Sequence, residues 1–320
     1  MQVIVVHGDP QKPSPIIPGG RWDRDDFETI ELLKKALSSL ETGGGKYSFS
    51  FLCNHETLLQ DLKQARDEGR VDLVLQLCDE GWYNHPRMEC HVISYLEMMG
   101  IPFTGSGSTV ICQTFDKQAI LQVAKSIGIP TPKSVYLVDR EELASHGLAY
   151  PVLIKPNSTD GSFGITMKNI AHNEQELNDA FSIIRREFGV TGAVLVQEYL
   201  PGPDINVALV GNEPTVLPIT EEDYSALPKD WPKICGFENK WDETSPYWKI
   251  VTRPTTALSQ EAQKNVADHS KALFHRLKIS DYARLDWRLD RHGQPVLLEA
   301  NPNCGWCEDG HRKHDNLLRC

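Results

Sequence analysis

The chain has 320 residues, long enough for two or three domains with a substantial core. Its 40% hydrophobic and 24% charged residues are ordinary for a soluble globular protein. A net charge of -11 leaves no basic stripe to neutralise phosphates, which excludes a nucleic-acid binder. The apolar run at residues 3–6 is too short for a signal peptide or a membrane span.

Gln2 to His7 reads as a buried strand, followed by a Pro- and Gly-rich loop through Gly20. Phe27, Ile30, Leu33 and Leu37 recur at helical spacing and predict an amphipathic helix over 25–40. Tyr47 to Cys53 reads as a second strand, Thr57 to Asp67 as a helix and Asp72 to Leu77 as a third strand. Pro86 opens a helix that ends at Gly100. Alternating strands and helices imply a small parallel sheet whose ligands sit beyond the carboxyl ends of its strands. That places His7-Gly8-Asp9 and Cys78-Asp79-Glu80-Gly81 at a substrate mouth.

Residues 101–107 form a turn-rich boundary. The GSGSTV stretch lacks the third glycine of a dinucleotide fingerprint, and Gly43-Gly44-Gly45-Lys46 lacks phosphate-loop spacing. A helix is predicted over 114–128, carrying Asp116 and Lys117 and closed by Gly128. Val152 to Pro156 is a short apolar strand that ends in Lys155 and feeds a polar loop, 157–164, containing Asp160, Gly161, Ser162 and Gly164. Such a loop can turn successive N–H groups toward an anion, although strand-lysine-glycine patterns also occur in plain hairpins. Asn173 and Glu176 make a capping box for a helix to about Phe188. Val194 to Leu200 is a strand, and Pro201-Gly202-Pro203 a hinge whose backbone can read an adenine ring. Two strands fit 205–219. The polar and aromatic passage 221–254 reads as a functional loop with Lys240-Trp241 as a lid contact, and 260–277 as a helix.

Asp281 to Leu289 and Pro295 to Ala300 read as two strands joined by the turn Asp290-Arg291-His292-Gly293. This hairpin can bring Asp286 close to Glu299, with Asn301 two residues on. Two carboxylates and an amide oxygen are the hard ligands Mg²⁺ takes when it bridges phosphates. Arg284 shares a strand face with Asp286, and a cation there suits a reaction that builds negative charge. A surface hairpin with solvated charges is the plain alternative.

Together the lysine-ended strand, glycine-rich loop, acidic hinge and R-x-D…E-x-N hairpin resemble the ATP-grasp superfamily. Within it, GIPFTGSG, Asp116-Lys117 and LLEANPNCG are similar to the D-alanine–D-alanine ligases and their relatives. The resemblance implies an α/β fold, with an N-terminal Rossmann-like parallel-sheet domain (1–105) and two α+β subdomains (106–200 and 201–320) enclosing ATP. It implies that Lys117, Lys155, Asp160, Gly161 and Ser162 contact phosphates. Gln197, Glu198, Tyr199 and Leu200 form the adenine hinge, and Asp204 meets the ribose. Lys240 reaches the γ-phosphate, Asp286, Glu299 and Asn301 bind Mg²⁺ or Mn²⁺, and Arg284 stabilises the reacting carboxylate. Ser162, Lys240 and Arg284 are thus the residues assigned to catalysis. The activity implied is ATP-dependent joining of amino acids through an acyl phosphate; the cysteines, charge and N-terminus add a cytoplasmic setting without nucleic acid or membrane. The resembling ligases are often dimers, which makes a homodimer compatible. A nucleotide-binding module without ligase activity is the second reading.

Two departures fall at the substrate end. Asp9 to Pro13 lacks the glutamate and serine that grip the first substrate's ammonium. Cys304 to His311 replaces a serine-rich loop, and the chain stops soon after it, where relatives usually add a helix. The substrates therefore need not be two D-alanines, and Asp79, Glu80, Gly305 and Glu308 are expected to line their site. Eight cysteines without a secretion signal read as free thiols. Cys304, Cys307, His311 and His314 lie within one short loop. They read as incidental to a substrate loop, with structural zinc as the alternative.

Overall fold

A computed structural model of the chain describes residues 1–15, 18–20, 22, 24–42 and 46–305. The first sheet is built from β1 (Gln2–His7), β2 (Ser48–Leu52) and β3 (Leu73–Leu77), all parallel in the order β2-β1-β3. The Val/Ile run of β1 occupies the centre because both of its faces are covered. Val3 and Val5 meet Leu33 and Leu37 of α1 (Arg24–Thr42). Ile4 and Val6 meet Leu58 and Leu62 of α2 (Leu58–Asp67) and Val92 and Leu96 of α3 (Glu89–Met99). A continuous apolar strand is what a doubly covered parallel sheet requires. Pro86 opens a short 3₁₀ turn, Pro86–Met88, before α3 proper, and Gly100 ends that helix with φ at +64°. Pro102 to Thr104 then pair with Val74, so the predicted boundary turn also extends the sheet edge.

The helix predicted over 114–128 is α5 (Lys117–Ser126), and a separate short helix, α4 (Ser108–Thr114), precedes it where none was expected. Asp116 breaks the run. Its backbone is extended, and its carboxylate accepts from Ala119 N at 2.9 Å as the N-cap of α5. The second sheet holds β4 (Ser134–Leu137), β5 (Val152–Pro156), β6 (Ile170–Ala171) and β7 (Val194–Glu198), antiparallel in the order β4-β7-β5-β6. Val152, Ile154, Val194 and Val196 pack on α6 (Glu174–Arg186). Strand alternation sends Leu153, Lys155, Leu195 and Gln197 to the opposite face. Asn173 caps α6 as expected, its Oδ1 accepting from Glu176 N, but the return bond of the expected capping box goes one residue further out, with Glu176 Oε2 accepting from His172 N.

The third sheet runs β11-β10-β8-β12-β13, with β9 paired to β8. Its strands are β8 (Asp204–Val210), β9 (Thr215–Val216), β10 (Thr220–Asp223), β11 (Val251–Pro254), β12 (Tyr282–Leu289) and β13 (Pro295–Asn301). One face buries Ile205, Val207, Leu285, Trp287 and Leu297 against Val266, Leu273 and Phe274 of α8 (Gln260–Leu277). Side chains buried this fully contribute about 1.5–3 kcal/mol each. Ser270 accepts the Trp287 indole N–H at 3.2 Å, so this central aromatic is polar-satisfied as well as packed. No helix among the described residues is long and apolar enough to cross a membrane.

The passage 221–254, expected to be one loop, begins and ends in paired strands, because β10 and β11 align antiparallel. Buried Glu221 clasps their junction. It accepts from Arg253 Nε, from Thr255 and Thr256 hydroxyls, and from Thr256 and Ala257 N–H groups at 2.8–3.0 Å. Burial alone would raise its carboxyl, but these donors outweigh burial and hold it below the usual 4.5. A depressed folded pKa contributes stability above the unfolded value, and that contribution is lost as pH falls through the folded one. Glu221→Gln is therefore expected to lower stability by about 1–3 kcal/mol at pH 7. In chemical denaturation, the gap between wild type and variant is expected to close below pH 4.5. A gap independent of pH would show that the charge does not hold the clasp.

Candidate active site

The face of the third sheet turned away from α8 carries the polar residues. Arg284, Asp286 and Arg288 alternate along β12, opposite Ala208, Asn206 and Asp204 of β8. On the other side of β12, Asp286 lies opposite Glu299 and Arg284 opposite Asn301. The register then slips, so that Trp287 pairs with Leu297 and Leu298 is the extra residue. This β-bulge decides the site. In an unbroken strand Leu297 and Glu299 would share a face. With the bulge Leu297 and Ala300 enter the core, while Glu299 and Asn301 join Asp286. Arg284 holds Asp286 with a two-pronged ion pair, Nε to Oδ1 at 2.7 Å and Nη2 to Oδ2 at 2.8 Å, and Asn301 Nδ2 donates to Oδ2 at 2.9 Å.

Four cations from four segments converge on Glu299. Desolvation in the cleft would raise its carboxyl, but Lys117, Lys155, Arg284 and Lys240 overcome this and hold it at about 2. Lys117 opens α5; its Nζ lies 3.3 Å from Glu299 Oε2 and also donates to Thr159 O. Asn157 locks that helix start to the end of β5, bonding Asp116 Oδ1 at 3.0 Å and accepting from Gln118 N at 3.0 Å. Lys155 is 4% exposed, and burial brings its pKa down to about 8. Asp160, in the following loop, is pushed up to about 6, chiefly by desolvation. Gly161 (φ +59°) and Ser162 (φ +58°) are consecutive left-handed residues. Serine rarely takes this conformation, so the loop is held in a sharp turn at the expense of local strain.

The segment 224–250 docks over that loop. Ser162 Oγ donates to Cys235 O at 3.3 Å, Phe237 N to Ile165 O at 2.6 Å and Met167 N to Glu238 Oε1 at 3.1 Å. Phe237 meets Phe188, which meets Phe163. These contacts seat the short helix α7 (Phe237–Trp241), so that the charge of Lys240 acts on Glu299 and Asp160. The hinge is equally anchored: Gly202 N donates to Leu289 O at 2.9 Å, and a Cβ at Gly202 would lie 2.6 Å from that oxygen, so only glycine fits. Gln197 is 1% exposed on the Lys155 face, and its Nε2 has no donor contact among the described residues. Glu198 alternates to the other face, where its carboxylate accepts from Lys133 N at 2.8 Å; only its backbone is left to the hinge. Tyr199 donates to Lys233 O at 3.0 Å, and Leu200 O and the Asp204 carboxylate both bond Arg288.

Asp79 follows the carboxyl end of β3; burial is what chiefly raises the carboxyls of Asp160 and Glu89, and the like charge of Asp79 adds to it in both. Glu80 packs against Gly8, whose missing Cβ would lie 2.8 Å from the Glu80 carboxyl. Gly305 is the last described residue; Glu308, Cys307, His311 and His314 lie outside the described residues. Cys304 is buried against Ala208 and Tyr282 as a core side chain, and the described cysteines are free thiols. The described residues hold no trio of His, Cys, Asp or Glu arranged for a metal. Asp286, Glu299 and Asn301 instead bring two carboxylates and an amide to one stretch of the hairpin, oxygens of the hard kind Mg²⁺ takes, and Glu299 is ionised.

The chain matches the family model described as D-ala D-ala ligase C-terminus over residues 123–310, more than half its length. It belongs to the D-alanine–D-alanine ligase family. The protein y4sG of Sinorhizobium fredii is 34% identical over 215 residues, covering 66% of this chain and 60% of that protein. A D-alanine–D-alanine ligase of Flavobacterium psychrophilum is 27% identical over 228 residues, covering 69% and 63%. The matched stretch thus spans less than two thirds of these relatives' lengths. The crystal structure of a D-alanine–D-alanine ligase from Bacillus anthracis complexed with ATP superposes with a TM-score of 0.67 at 21% identity, covering 95% of this chain and 87% of that one. The fold is that of the ATP-grasp ligases. The family match begins inside α5, and the structural likeness extends the shared fold to the parallel sheet.

Several polar residues at this family site escaped the sequence reading. Arg288 had a signal, being one alternation beyond Asp286 on the same strand. Asn206 of β8 lies opposite Asp286 and donates to Glu222 at 3.0 Å. Glu89, driven well above the usual carboxylate range by burial, accepts from Asn303 Nδ2 at 2.6 Å, which ties α3 to the loop after the hairpin. Nothing local marks Asn206 or Glu89, because their partners are distant in sequence.

Proposed function

We propose that this protein is an ATP- and Mg²⁺-dependent ligase that joins the carboxylate of one amino acid to the amine of another. Its parts would be an N-terminal substrate domain, 1–105, and two subdomains, 106–200 and 201–320, that hold ATP between them. The observation that carries the reading is the gathering of Lys117, Lys155, Arg284 and Lys240 about Glu299. A phosphoryl transfer needs charge neutralisation and alignment more than a protein nucleophile. In the first step a substrate carboxylate oxygen bonds the γ-phosphorus while the bond to the β–γ bridging oxygen breaks, leaving ADP and an acyl phosphate. An amine then attacks the acyl carbon, inorganic phosphate departs, and the nitrogen releases a proton. Lys155 and Lys117 orient the phosphates from below, the Gly161–Ser162 loop covers them, and Lys240 closes over the γ-phosphate. Arg284 faces the reacting carboxylate. Asp286, Glu299 and Asn301 would hold Mg²⁺, which when bound neutralises phosphate oxygen charge.

The substrates are proposed to be amino acids that need not be a pair of D-alanines, because Asp9 to Pro13 and the loop from Cys304 depart from the family pattern. Asp79, Glu80, Gly305 and Glu308 would line their site. The test is phosphate release across D- and L-amino acids, singly and in pairs, with products identified by mass. Release that needs both a carboxylate and an amine supports ligation. ATP binding without turnover on any pair would favour a nucleotide-binding module instead.

A further inference from the structure

Arg288 is 6% exposed and bonds three separate segments at once. Its Nε donates to Leu200 O at 2.6 Å, in the hinge. Its Nη1 donates to Asp204 Oδ2 at 2.6 Å, and its Nη2 to Lys233 O, at the start of the segment that carries Lys240. Its guanidinium also lies 5.5 Å from the Tyr199 ring centre and 6.0 Å from that of Tyr224. Tyr224 donates its hydroxyl to the same Asp204 oxygen. Both donors therefore hold Oδ2, while Oδ1 has no donor among the described residues. A carboxylate fixed on one side by a planar cation and a phenol presents its second oxygen in a set direction.

We infer that Arg288 is a positioning residue that aims Asp204 Oδ1 at a ribose hydroxyl and ties this nucleoside seat to the lid, so that ribose recognition and lid closure act as one unit. The inference rests on the nucleotide reading proposed above. Hinge, seat and lid share one rigid fork of donors, and the lid's next contacts, Cys235 O with Ser162 and Phe237 with Ile165, lead directly to the Lys240 helix. A lysine at 288 would keep the charge but could not supply three diverging donors to Leu200, Asp204 and Lys233.

The experiment uses the full chain with Mg²⁺ and compares ATP, 2′-deoxy-ATP and 3′-deoxy-ATP by calorimetry in wild type, Arg288→Met and Arg288→Lys. Hydrogen exchange over 231–241 is followed with and without ATP. Wild type is expected to bind one deoxynucleotide about tenfold more weakly than ATP, the loss of one hydrogen bond. Arg288→Met is expected to shrink that ratio below about threefold and to abolish the ATP-induced slowing of exchange over 231–241. Arg288→Lys is expected to recover part of the ribose ratio without the slowing, and it serves alone if the methionine variant does not fold. Wild-type ratios and wild-type protection in the folded variants would overturn the inference, as would a wild type that binds ATP and both deoxynucleotides alike. A wild type that binds no nucleotide would instead overturn the nucleotide reading, and this inference with it.

Discussion

Asp286→Asn is expected to lower ATP-dependent turnover by about 10²- to 10³-fold, the scale seen when a charged or donor group aimed at a developing charge is removed. The carboxylate accepts from both prongs of Arg284 and from Asn301, and it faces Glu299 across the bulge. An amide keeps one acceptor oxygen and turns an NH₂ group toward donors. That weakens the hard-oxygen set and releases Arg284 from its two-pronged pair with Asp286. Phosphate release titrated with Mg²⁺ is the measurement, and the apparent affinity for the metal should fall together with the maximal rate. Turnover within tenfold of wild type at every Mg²⁺ concentration would remove Asp286 from the metal site.

Lys155→Met is expected to separate activity from stability. Turnover and ATP affinity should fall by about 10²-fold or more as the buried phosphate-side cation is lost. The melting temperature should hold or rise, because a thioether chain of similar length does not have to be desolvated. Burial is the leading cause of the depressed Lys155 pKa, about 8 against an ordinary 10.5. The unfolded chain therefore binds the extra proton between pH 8 and 10.5, and the folding cost of charged Lys155 is full below that window and gone above it. Any thermal advantage of the variant should be largest below pH 8 and vanish toward 10.5. Activity that falls only in step with the amount of folded protein would deny Lys155 a role with phosphate.

Much of the fold was legible because it is local. The apolar run of β1 and the spacing of Val266, Leu273, Phe274 and Leu277 in α8 each announce a periodicity that packing then uses. The Asn173 N-cap likewise works through a neighbour three residues on, Glu176. Where the reading failed, a long-range partner had overruled a local pattern. Asp116 was placed inside a helix but caps one, because Asn157 and Ala119 together satisfy it. The passage 221–254, read as one loop, has its two ends paired as strands, with Glu221 collecting donors from 253–257 at their junction.

The sequence by itself determined the chemistry available at the site, namely which residue types stand at which spacing along the hairpin, the lysine-ended strand and the hinge. It could not determine which way the end of the hairpin faces. Alternation alone puts Leu297 and Glu299 on one side, and only the slip at Leu298, set by pairing with β12 while Leu297 and Ala300 fill the core over α8, turns Glu299 toward Asp286. Nor does any local signal bring Lys117, Lys155 and Lys240 to that carboxylate from segments separated by up to 182 positions. That convergence exists only once three sheets and the docked segment 224–250 are packed, because the charge–charge attraction that holds Glu299 ionised acts through space and not along the chain.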